Sequence, residues 1–72
     1  MNLSEKLTEL GFEQESDNTW SATGYKGEVC VSVLDDGKIE VVKASNEEDI
    51  PAIVTTWSCK CEAMLHTIEE WL

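Results

Sequence analysis

Three cysteines and one histidine are the side chains of this sequence best suited to metal or nucleophilic chemistry: Cys30, Cys59, Cys61 and His66. They make a Cys₃His inventory, but not at the gaps that structural zinc sites use. Only Cys59-Lys60-Cys61 is a close pair, and the apolar pattern around it predicts a helix. Residues two apart on a helix project about 200° apart. Cys61 then joins the apolar stripe and Cys59 faces away, so the two share neither a metal nor a disulfide. His66 falls on the same outer face as Cys59, about 10 Å along the axis, too far for a Cys–His nucleophile pair. Asp35-Asp36-Gly37 with Glu40 lacks the alternating D-x-D-x-D-G register of a calcium loop and reads as a hairpin turn. With no Ser/His/Asp pattern and no Gly-rich phosphate loop, the expectation is a protein that is not an enzyme and holds no metal or cofactor.

Charge narrows the partners further. Fifteen acidic residues face five lysines and no arginine in 72 residues, for a net charge of −10. Such a chain neutralises no phosphates, so direct binding of DNA, RNA or an anionic membrane is not expected, and an electrostatic partner is a basic protein. The acids fall into three groups: Glu13, Glu15 and Asp17; Asp35, Asp36 and Glu40; Glu47, Glu48 and Asp49. Held rigidly, carboxylates satisfy the same Lys and Arg groups that phosphates do. The simpler role of such groups is solubility and helix-end electrostatics.

The elements that must position these residues are legible from periodicity. A hydrophobic content of 42% with three Trp is too high for a disordered acidic tail and suits one small domain spanning residues 1–72. The opening Met1-Asn2-Leu3-Ser4-Glu5 has no basic or apolar run, so neither a secretory signal nor a membrane anchor is expected. An odd number of cysteines then fits reduced thiols in a cytoplasm. Leu3, Leu7 and Leu10 predict a short amphipathic helix stopped by Gly11, with Phe12 placed to fold back on it. Thr19–Thr23, then Val29, Val31 and Val33, then Ile39 and Val41 alternate as strands, joined by turns at Gly24–Gly27 and Asp35–Gly37. A further short strand is expected at 12–15.

Ser45 with Glu48 reads as a capping box at the start of a second helix. From Ile50 to Leu72 the apolar residues fall near one line at about 100° per residue. The pattern therefore predicts one long C-terminal helix, roughly 40 Å from Asn46 to Leu72, against strands of only about 23 Å. Such a helix must overhang the sheet, cross it diagonally or break. The predicted fold is a two-layer α+β domain, αβββα: a three- or four-stranded antiparallel meander with both helices on one face. That order resembles the double-stranded-RNA-binding fold in topology alone, without its basic RNA-binding residues.

The outward strip of the predicted long helix, Ala52, Thr55, Thr56, Cys59, Ala63 and His66, is nearly free of charge. A solvated helix face usually carries Glu and Lys. This strip is the expected docking face for a partner or a second copy. The leading expectation is thus a non-catalytic protein-binding module, an inhibitor of phage or mobile-element type whose acidic surface occupies a basic nucleic-acid site. The alternative is a homodimer assembled through the long helix.

Overall fold

The computed structural model describes residues 3–45, 47, 49–58 and 61–72. Helix α1 spans Leu3–Glu9 and buries Leu3 and Leu7. It ends where the glycine stands: Gly11 takes φ +98°, its N–H donates to Thr8 O at 3.0 Å, and Phe12 N–H donates to Leu7 O at 2.9 Å. Both bonds satisfy carbonyls that the helix end would leave orphaned, and they return buried Phe12 to the core.

Five antiparallel strands follow in one sheet, in sequence order: β1 (Glu13–Ser16), β2 (Thr19–Gly24), β3 (Gly27–Val33), β4 (Ile39–Ser45) and β5 (Ile53–Trp57). The predicted alternation holds. Trp20, Val29, Val31, Ile39 and Val41 are buried on one face with Leu3, Leu7 and Phe12, and with Met64 and Ile68 of helix α2 (Glu62–Trp71). Both helices therefore cover the same face of the sheet, and the α+β class stands, with five strands in place of three or four.

The fifth strand comes from the segment expected to be helical. A helix from Asn46 to Leu72 is not formed; the chain breaks into β5 and the short α2. Ile53-Val54-Thr55-Thr56-Trp57 is an unbroken β-branched and aromatic run, which loses rotamer freedom in a helix and packs well on a pleated surface. Pro51 removes a helical donor just before it. The open edge of β4 then supplies hydrogen bonds in register, from Ile39↔Trp57 to Lys43↔Ile53. The capping box is replaced by a turn in which Glu47 N–H donates to Ser45 Oγ at 3.1 Å, with Ser45 the last residue of β4. Glu48 lies outside the described residues, as do Cys59 and Lys60.

Helix α2 begins after Cys61, whose backbone is extended, and Met64 and Ile68 lie fully buried one helical turn apart. The β2–β3 turn clasps its far end. Tyr25 N–H donates to Leu72 O at 2.7 Å, and Lys26 Nζ donates to Glu70 O at 3.2 Å, bringing a cation to the negative end of the helix. Gly24 makes this approach feasible, because a Cβ there would lie 2.5 Å from Leu72 O. Among the described residues no helix is long and apolar enough to cross a membrane.

Candidate functional site

Among the described residues no second layer covers the face of the sheet turned away from the helices. The cross-strand rows on it are Glu13–Ser21–Cys30–Val42–Val54, then Thr19–Ser32–Glu40–Thr56, then Thr23–Glu28–Ala44. Glu15 joins this face through an irregularity. The pairing of β1 with β2 shifts between Gln14 and Ser16, leaving Glu15 as the extra residue. Its Oε1 accepts a 2.6 Å hydrogen bond from Ser21 Oγ. Glu13, Glu15 and Glu28 border a shallow hollow of about 370 Å³ with Ser21, Thr23, Ala22 and Gly11.

Cys30 lies in the middle of this face, half-buried, with its Sγ 3.4 Å from Glu28 Oε1. Burial pushes its thiol pKa up, and the hydrogen bond to Glu28 and the negative charges of Glu28 and Glu15 push it further in the same direction. The thiolate is the nucleophilic and metal-binding form, so these carboxylates suppress such chemistry at Cys30.

The three expected acidic groups are not one patch. Glu13, Glu15 and Glu40 are on the outer face. Asp17 lies in the β1–β2 turn and Asp35 and Asp36 in the β3–β4 turn, at one end of the sheet. Asn18 ties those two turns together, accepting from Val33 N–H at 2.8 Å and donating from Nδ2 to Val33 O at 3.2 Å. Asp36 accepts from Lys38 N–H and lies 3.8 Å from Lys38 Nζ. Glu47 and Asp49 are in the β4–β5 connection, at the opposite end.

Sequence reasoning missed Glu28. Its signal was present, since it stands out of phase with Val29, Val31 and Val33 in β3 and must point outward.

The expected neutral helix strip is dispersed, because only Ala63 and His66 share a helix. Ala52 is exposed in the connection before β5. Thr55 is half-buried on the helix side, where its Oγ1 accepts from Trp57 Nε1 at 3.1 Å. Thr56 is exposed on the outer face, Ala63 and His66 are exposed on α2, and Cys59 lies outside the described residues. His66 lines a groove between α1 and α2 with Lys6, Glu62, Leu65 and Glu69. Among the described residues no three His, Cys, Asp or Glu side chains are grouped to hold a metal ion.

Comparison with known protein families, curated proteins and solved structures finds no match.

Proposed function

We infer that this chain is a non-catalytic protein-binding module that sets its open sheet face against a basic site on another protein. One observation carries the reading. The uncovered face holds Glu13, Glu15, Glu28 and Glu40, while Lys6, Lys26, Lys38 and Lys43 all lie elsewhere, in α1, in turns or on the helix side of β4. The two ion pairs among the described residues, Lys6–Glu9 and Lys38–Asp36, are also off this face. A sheet fixes the backbone beneath each carboxylate, which lowers the ordering cost of meeting a cation. From strand spacing and rise, Glu13 lies about 12 Å from Glu28, and Glu28 about 14 Å from Glu40. That spread suits several Lys or Arg side chains of one groove better than a single ion.

Size and charge fit an inhibitor that fills the nucleic-acid site of its target, of the kind that phages and mobile elements carry. Asp17, Asp35 and Asp36 would rim the contact at one end, and Glu47 and Asp49 at the other; Glu48, expected with them, lies outside the described residues. The test is capture from a nuclease-treated host lysate on tagged protein at low and moderate salt, with bound proteins identified by mass spectrometry. The expected result is one dominant nucleic-acid-binding protein, released as salt rises. Recovery of the bait alone would overturn the reading.

A homodimer is the second reading. The observation that favours it is the open edge of β5, in place of the helix face from which it was first expected.

A further inference from the structure

The two edges of the sheet are unlike each other. β1 is blunted against further pairing by Glu13, Glu15 and the register shift between Gln14 and Ser16. β5 has none of these devices: no charge, no internal Pro and an unbroken register against β4. Ile53 is 47% exposed on the helix side and Val54 56% exposed on the outer side.

The pairing pattern fixes which backbone groups that edge presents. Leu34 N–H donates to Lys38 O at 2.8 Å, so this pair is a hydrogen-bonded one. Alternation along the β3–β4 ladder then makes Ser32↔Glu40 and Cys30↔Val42 hydrogen-bonded as well. The backbone groups of Ile39, Val41 and Lys43 accordingly turn toward β5, where they meet Trp57, Thr55 and Ile53. The N–H and C=O groups of Val54 and Thr56 point outward from the sheet.

We propose that β5 pairs antiparallel with β5 of a second copy of this chain, about a two-fold axis through Thr55. In that register Val54 exchanges both hydrogen bonds with Thr56 of the second copy, and Thr56 with its Val54, so every outward group of the pair is satisfied. Side chains match on both faces: Ile53 opposes Trp57, Thr55 opposes Thr55 and Val54 opposes Thr56. Aromatic against β-branched and β-branched against β-branched are favourable cross-strand pairs.

The occupant is a second copy because the edge is self-complementary about that axis and because a chain of net charge −10 meets its own like most cheaply where charge is absent. The carboxylate nearest the seam on the outer face is Glu40, one strand in. Two such residues stand about 14 Å or more apart across the axis, beyond the screening length at ordinary salt. The product is one continuous sheet with all helices on one side and two acidic faces on the other. This assembly does not depend on the proposed basic partner, and it strengthens with salt where that contact weakens.

Sedimentation equilibrium from about 5 to 200 µM tests it, since a C₂ assembly shows as a concentration-dependent mass. A reversible dimer is expected, and a monomer throughout overturns the proposal. Thr56→Pro removes only an outward N–H and should give a monomer with an unchanged circular dichroism spectrum. Should that variant unfold, Val54→Lys makes the same test through edge charge. A dimer that persists in the folded variants overturns the proposal. The register has its own readout in a background with Cys30, Cys59 and Cys61 changed to Ser. Thr55→Cys faces itself at about 4.5 Å between Cα atoms and should oxidise to a covalent dimer, whereas Val54→Cys, about 8 Å from its copy, should not. Equal cross-linking of both contradicts the register.

Discussion

Glu28 and Cys30 are two residues apart on one strand, and together they define the chemical character of the outer face. Burial, and then the carboxylates of Glu28 and Glu15, raise the pKa of the only thiol described there. With Cys59 and Cys61 changed to Ser, alkylation of Cys30 should therefore rise with pH later than that of the same thiol in the unfolded chain. The sign follows from the shift, since a raised pKa means less thiolate at any given pH. Glu28→Gln keeps an oxygen acceptor but removes the negative charge beside the thiol, and should move the alkylation profile to lower pH. A profile unmoved by that substitution would show that Glu28 does not act on the thiol.

The elements differ in how far local pattern specified them. α1 was legible except at its end, where Leu10, expected on the helix, lies in the turn after Glu9; Leu3, Leu7 and Gly11 each act through neighbours in the chain. β2, β3 and β4 were legible because one buried face forces a period of two. The run from Ile50 to Trp57 was misleading, since its apolar residues fit a helical stripe as well as a strand. What decided it is non-local: β4 offers an open edge, and a long helix would have found no sheet beneath its ends. The candidate face was half legible. Glu13, Glu15 and Glu40 could be named from sequence, but their separation from Asp17, Asp35, Asp36, Glu47 and Asp49 depends on where the turns lie in the fold.

The seating of α2 against the β2–β3 turn was not legible either, because it rests on a contact between Gly24 and Leu72. Gly24→Ala should force these apart and lower the urea unfolding free energy by about 1–3 kcal/mol, the usual effect of overpacking. An unchanged midpoint would mean that α2 does not rest on this turn.

For the molecule as a whole, net charge and the burial of a small core act against each other. A domain of this size buries only about 60% of its unfolded surface, so self-repulsion among its carboxylates is a sizeable fraction of the balance. Raising salt from about 0.05 to 0.5 M shortens the screening length roughly threefold and should raise the urea midpoint, at a protein concentration that keeps the chain monomeric. A flat response would mean that the acids are too dispersed to repel appreciably.

In the proposed binding mode, where the carboxylates are placed matters as well as how many there are. The most direct measurement compares two variants that give up the same charge, in the same lysate capture. One carries Glu13→Gln, Glu15→Gln, Glu28→Gln and Glu40→Gln; the other carries Asp35→Asn, Asp36→Asn, Glu47→Gln and Asp49→Asn. The expected result is that the first loses the basic partner while keeping its fold, and the second retains it. Equal loss from both, or loss from neither, would contradict the claim that the open sheet face is the binding surface.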